Sequence, residues 1–195
     1  MREPIAQFDP GRLIELFHAQ SIDYVMVGGY AGLLHGATRP TVDLDIVPDW
    51  EEANLERLCA TLRSIDARSI TGPECEGAAI TPEVLVEREI MTWATDLGRL
   101  DTMVGIPDSE GLPVVYSDLV PRAEAIPVAG IVVDVASLDD VITSKEFAAR
   151  SKDTRALPEL RQLRDLGASR TAEPTIAETA AQQASASARG GADEG

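Results

Sequence analysis

Leu13, Ile14 and Phe17 fall three and four positions apart, the spacing that lines one face of a helix. Asp9 and Pro10 supply its start, a side-chain cap followed by a first position that needs no N–H. Tyr24 to Val27 is a short apolar run and reads as a buried strand. Gly28, Gly32 and Gly36 then recur every four residues. A helix there has one face free of side chains, suited to close packing or to close approach of a ligand at its start. Over residues 42–47, Val42, Leu44 and Ile46 alternate with Asp43 and Asp45. That is a strand with an apolar face and a face carrying two adjacent carboxylates.

Asp49 and Glu52 are spaced as N-cap and capping-box partner of a helix running to about Asp66, with Leu55, Leu58, Leu62 and Ile65 as its apolar face. Residues 68–82 show turn formers and no period, and are expected to form a loop. Residues 90–95 and 99–104 read as strands joined at Asp96-Leu97-Gly98, a hairpin signal. Further on, 116–125 is expected as a helix bent at Pro121, 131–136 as a strand, 137–149 as a helix capped by Ser137, and 154–166 as a last helix. Beyond Gly167 the pattern dissolves into Ala, Ser, Thr, Gln and Gly, with no large apolar residue after Ile176. Such a segment buries too little surface to offset its ordering entropy. The expected organisation is one folded domain over 1–166 and a disordered tail over 167–195, its Ala-rich middle forming transient helix.

Mixed helices and strands in 195 residues predict a single α/β (α+β) domain, a small mixed sheet flanked by helices with further helices at the C-terminal end. The start, Met1-Arg2-Glu3-Pro4, lacks the apolar core of a signal peptide. The longest apolar run, residues 24–34, is too short and too glycine-rich to span a bilayer, so no membrane partner is expected. Cys59 and Cys75 follow no metal or disulfide spacing, which fits small packed thiols in a reducing cytoplasm. A formal charge of −16 opposes broad, sequence-blind nucleic-acid binding. The locally basic stretch is 143–166, where Lys145, Arg150, Lys152, Arg155, Arg161 and Arg164 face Glu146, Asp153, Glu159 and Asp165. It suits either a local polyanion contact or a solvated helix face.

Side-by-side carboxylates repel, and a divalent cation is the usual reason to build them. Asp43 and Asp45 with a third acid could hold two Mg²⁺ ions and leave room for phosphate oxygens. The best third acid is Asp101, flanked by Leu100 and Met103 in a strand where an unpaired charge is costly. It could also take the proton from an attacking hydroxyl. Gly28 and Gly29, where a strand meets a helix, would offer backbone N–H groups to a triphosphate. An EF-hand loop beginning at Asp43 fails, because Pro48 stands where its glycine belongs and Asn54 where its closing Glu belongs. No P-loop, G-x-S-x-G, H-E-x-x-H or Cys/His cluster occurs. His18 and His35 sit on the two expected early helices, in packing or surface roles.

Gly28-Gly29 followed by Arg39-x-Thr41-x-Asp43-x-Asp45 resembles the signature of the nucleotidyltransferase fold shared with DNA polymerase beta. Within that superfamily it resembles the branch of minimal nucleotidyltransferases and AbiEii-like or MenT-like toxins of toxin–antitoxin pairs. Gly98-Arg99-Leu100-Asp101 resembles the strand of the third carboxylate, and Lys145 with Arg150-x-x-Asp153 a later helix of the branch. The resemblance covers roughly residues 10–166. It implies Mg²⁺ on Asp43, Asp45 and Asp101, and nucleotide phosphates on Gly28 and Gly29. Lys145 would neutralise phosphate charge and Asp153 would orient it. Arg39 would contact phosphate or pair with a nearby acid, and Thr41 would support the site by hydrogen bonding. Gly29 replaces a Ser common in the wider superfamily, which leaves nucleotide binding to backbone groups. The implied activity moves a nucleoside monophosphate from an NTP to an acceptor hydroxyl. The acceptor expected is the 3′ end of tRNA, with a cognate antitoxin as partner. Alternatives are a small-molecule or protein hydroxyl, or a nucleotide-binding interaction module without catalysis.

Overall fold

The computed structural model describes residues 6–71, 77 and 79–172. Helix α1 (Pro10–Ala19) begins as expected: Asp9 accepts a hydrogen bond from the Arg12 N–H at 3.0 Å, and Leu13, Ile14 and Phe17 are buried. The buried strand β1 (Tyr24–Val27) runs into α2 (Gly28–Leu34), and β2 (Asp43–Pro48) follows. Then come α3 (Glu52–Ser64), β3 (Arg68–Ser69), α4 (Pro82–Val86), β4 (Ile90–Thr95), β5 (Gly98–Met103), β6 (Ile106–Pro107) and β7 (Pro113–Val114). The chain continues through α5 (Tyr116–Leu119), a 3-10 turn, β8 (Glu124–Val128), β9 (Ile131–Val135), α6 (Leu138–Ala148) and α7 (Ser151–Ala172).

Seven strands form one mixed sheet in the order β3-β4-β5-β2-β1-β9-β8, and β6 and β7 pair as a separate ribbon. β2 lies at the centre, antiparallel to β1 and parallel to β5. Its alternation is the expected one: Leu44 and Ile46 are buried, and Asp43 and Asp45 are half-buried on the other face. Leu13, Phe17, Met26, Leu44, Leu58, Leu62 and Leu100 are among the fully buried side chains that join the sheet to its helices. Trp93 is buried with them and donates its indole N–H to Thr102 Oγ1 at 3.0 Å.

Several local expectations are corrected. The capping box of α3 does not form. Its N-cap is Glu51 with no side-chain bond, and Asp49 accepts from the Glu51 N–H instead. Buried Asn54 organises this corner by accepting from the Asp23 N–H and donating to the Asp23 and Asp49 carbonyls. The stretch expected as a loop over 68–82 contributes β3 at a sheet edge and the start of α4, where Thr81 caps and Pro82 opens the helix. The expected 116–125 helix stops at Arg122, and Glu124 and Ala125 belong to β8, an edge strand that tolerates Pro127. The last helix starts at Ser151 and continues through Ala172. Cys59 is a free, buried thiol. Cys75 and the expected tail from residue 173 onward lie outside the described residues.

The glycine stripe serves packing along most of its length. A Cβ on Gly32 would lie 3.4 Å from Leu160, and one on Gly36 3.6 Å from Leu163, so α7 rests on the bare face of α2. Arg161 pairs with Glu146 at 2.7 Å and Arg164 with Asp139 at 3.6 Å, tying α7 to α6. Between these helices Ala149 sits in the left-handed region at φ 47°. A Cβ there costs about 1 kcal/mol. Ala149→Gly is therefore expected to raise the melting temperature by about 2–4 °C, read by calorimetry.

Candidate active site

The junction of β1 and α2 brings the glycine pair against the carboxylates. Gly28 has φ +69°, and a Cβ built on it would lie 2.0 Å from Asp45 Oδ2. The next amide, of Gly29, donates to that same oxygen at 3.2 Å. The Gly29 N–H expected to face phosphate is thus turned onto Asp45. Thr41 Oγ1 lies 2.8 Å from where a Gly29 Cβ would stand. The hydroxyl occupies the space a side chain at 29 would need, and donates to Asp43 Oδ1 at 2.6 Å. Removing it takes away a hydrogen bond to a charged group. Thr41→Val is expected to leave the melting temperature little changed and to weaken whatever the two carboxylates hold about tenfold, whereas Thr41→Ser retains it.

The parallel register of β2 and β5 sets Asp45 beside Asp101 and Asp43 beside Arg99. Burial raises the Asp45 pKa, and the charges of Asp43 and Asp101 raise it further, to about 7, against the opposing pull of the Gly29 amide and Lys152. Asp101 is also raised, first by burial and then by Asp43, while a hydrogen bond from Thr92 and the charges of Arg99 and Lys152 oppose the shift. Its Oδ1 is buried without a hydrogen-bond partner among the described residues. Mutual repulsion, hard oxygen donors and an orphaned oxygen together suit Mg²⁺. Among the described residues, however, no three His, Cys, Asp or Glu side chains already stand in metal-coordinating geometry.

The opposite wall comes from α6 and α7. Asp153 is fully buried and lies 3.4 Å from Lys145 Nζ and 2.6 Å from Arg150 Nε. Burial alone would raise its carboxyl, but the hydrogen bond and charge of Arg150, with Lys145, hold it below the ordinary value. Lys145 is itself nearly buried. The two walls enclose an open cleft of about 1080 Å³, its mouth included. Gly28, Gly29, Arg39, Thr41, Asp43, Asp45, Asp101, Lys145 and Asp153 all line it. Arg39 is exposed and feels Glu159, which accepts hydrogen bonds from the Thr38 N–H and hydroxyl. Sequence reasoning assigned no role to Lys152, the cation acting on both Asp45 and Asp101. Its only sequence signal is its place beside Asp153 in the basic stretch. His18 is exposed, and His35 caps α2 and hydrogen-bonds the Ala136 carbonyl at 2.8 Å.

No protein-family model and no curated protein sequence matches this chain. Solved structures do. The lincomycin-bound lincosamide antibiotic adenylyltransferase LnuA is 14% identical with a TM-score of 0.55, the match covering 81% of this chain and 99% of that one. The antibiotic-resistance factor ANT(2'')-Ia in solution is 15% identical with a TM-score of 0.50, covering 84% of this chain and 93% of that one. Its crystal structure with adenylyl-2''-tobramycin gives 15% and 0.50, covering 84% and 99%. The likeness at this identity is one of fold, and the fold is that of the nucleotidyltransferases.

Proposed function

We propose that this chain, built on the nucleotidyltransferase fold, transfers a nucleoside monophosphate from an NTP to an acceptor hydroxyl and releases pyrophosphate. The observation that carries this reading is the β2–β5 register, which sets Asp101 beside Asp45 across the cleft from Lys145. Asp43, Asp45 and Asp101 would hold Mg²⁺, which when bound neutralises and polarises the reacting phosphate. Asp101, with its orphaned oxygen and raised pKa, accepts the proton of the attacking hydroxyl. The new O–P bond forms at the α-phosphorus as the bond to pyrophosphate breaks. Lys145, with Lys152, balances charge on the phosphates, and Asp153 fixes Lys145 and Arg150 in place. Arg39 guards the mouth of the cleft, and the absence of side chains at Gly28 and Gly29 makes room for Asp45 and Thr41.

The acceptor we assign is the 3′ end of tRNA, in the cytoplasm, with the chain as the toxin of a toxin–antitoxin pair and a cognate antitoxin as partner. Arg161 and Arg164 are engaged by acids of α6. Arg155, near the start of α7, makes no ion pair among the described residues and remains for a polyanion. No described helix is long and apolar enough to cross a membrane. A second reading, transfer to a small-molecule hydroxyl, draws on the fold neighbours, an antibiotic adenylyltransferase and an antibiotic-resistance factor.

Incubation with Mg²⁺, each labelled NTP and, in separate arms, tRNA, lincomycin or tobramycin decides between them. Label on RNA supports the tRNA assignment, and label on an antibiotic alone transfers support to the second reading. No transfer in any arm, together with cellular effects that survive Asp43→Asn and Asp45→Asn, would leave a non-catalytic nucleotide-binding module.

A further inference from the structure

The ladder between β1 and β9 closes at a single pair, Met26 with Val135. Toward Tyr24 and Ile131 the two strands part, and a second pocket of about 650 Å³, its mouth included, lies in the wedge. It stands at the opposite end of β1 from Gly28 and shares no lining residue with the carboxylate cleft. Ile22, Ile131, Val132 and Val133 give it apolar walls, while Asp23, Asp134, Tyr24 and Tyr116 bring polar groups and His18 stands at its exposed edge.

Part of the charge there is uncompensated. Asp134 is exposed and makes no ion pair among the described residues; Asp23 pairs with the partly exposed Arg57 at 3.4 Å. Tyr24 is only 9% exposed, is held edge-on by Phe17 at a ring separation of 5.4 Å, and makes no side-chain hydrogen bond among the described residues. Its ring is buried, while its hydroxyl is not among the buried atoms without a partner and lines the pocket, free to meet a ligand. Burial and then Asp134 raise the Tyr24 pKa, and burial with Asp23, Asp49 and Asp134 raises that of Tyr116. Both therefore remain O–H groups in a negative field. No three acids here, among the described residues, stand in metal-coordinating geometry.

We propose that this wedge is a second ligand site, for an organic cation bearing a primary ammonium group on an alkyl stem. The ammonium meets Asp134 and the Tyr24 hydroxyl, with Asp23 and Tyr116 beside it, and the stem lies along Val132, which shares the exposed face of β9 with Asp134. A free diamine and a lysine side chain of another protein share this chemistry.

The chain has three tyrosines, Tyr24, Tyr30 and Tyr116. Labelling with 3-fluorotyrosine thus gives two reporters in the wedge and one, Tyr30 on α2, outside it. Titration with 1,5-diaminopentane in one arm and Nα-acetyl-lysine amide in the other, at constant ionic strength with Mg²⁺ present, is expected to shift Tyr24 and Tyr116 saturably and leave Tyr30 unmoved. Asp134→Asn, at an exposed position, should weaken binding about tenfold, and Tyr24→Phe should weaken it less. The arm that saturates at the lower concentration identifies the source of the cation. Shifts that never saturate, that move Tyr30 equally, or that persist unchanged in Asp134→Asn would overturn the proposal.

Discussion

Asp45→Asn is expected to lower nucleotidyl transfer about a thousandfold while making the protein more stable in EDTA at pH 8, an opposition that separates a functional carboxylate from a structural one. The loss follows from removing one of three acids that would hold Mg²⁺. The gain follows from what Asp45 costs the metal-free fold. Its pKa rises from the ordinary carboxylate value to about 7 because it is buried beside Asp43 and Asp101. Between about pH 4 and 7 the folded protein binds a proton at Asp45 that the unfolded chain has released. Stability from this group therefore falls as pH rises through that window and levels off above it. Melting curves in EDTA should decline from pH 5 to 8. The Asn variant should decline less and melt about 5 °C higher at pH 8. Mg²⁺ should restore the wild-type protein and leave the variant unmoved. Equal pH slopes for the two proteins would contradict this account.

Gly28→Ala should cost both stability and activity, and far more than Gly29→Ala. At Gly28 the added Cβ would collide with the Asp45 carboxylate, in a backbone region that L-residues occupy at a cost of about 1–2 kcal/mol. Relief requires Asp45 to swing off the Gly29 amide or the β1–α2 junction to shift, and either moves an acid of the site. A fall of about 5–8 °C in melting temperature and at least about a hundredfold in rate is expected. At Gly29 the obstacle is the Thr41 hydroxyl, the end of a rotatable side chain, and φ is ordinary. Its Ala variant should keep its fold and lose activity chiefly through Asp43. Thermal melts and initial rates on the two variants test the order.

Where burial imposes a period, the sequence reveals the element. β1, β2, β4, β5, β9 and α6 lie within a residue or two of their expected bounds, and α1 starts where expected, because each carries an apolar face or run that the core needs. β8 escaped because a solvent-facing edge strand imposes no such pattern: Glu124, Ala125 and Pro127 are exposed. β3, β6 and β7 have two residues each, too few for any period. At α3, Asp49 and Glu52 matched a capping pattern, but the polar groups were claimed by Asn54, whose partner Asp23 is distant in sequence. The site divides the same way. Asp43 and Asp45 announce themselves by alternation within one strand. Asp101 could be named as an acid in a strand, but its place beside Asp45 depends on a parallel register between strands separated by α3, α4 and two other strands. The action of Lys152 on those acids depends on how α7 folds back, which no local pattern encodes.

The central position of β2 governs how the two walls of the cleft fluctuate. Leu44 and Ile46 belong to a strand bonded on both sides in the middle of seven. Their amides should exchange with solvent only when the whole domain opens. Arg150 and Lys152, by contrast, follow α6 through a single left-handed residue, and Ser151, Lys152 and Thr154 in the first turn of α7 are exposed around buried Asp153. Exchange there should be orders of magnitude faster. Nucleotide added with Mg²⁺ should slow exchange at the α6–α7 junction and leave β2 at its limit. The acids are thus the fixed reference of the cleft, and the cations are the part that substrate brings to rest.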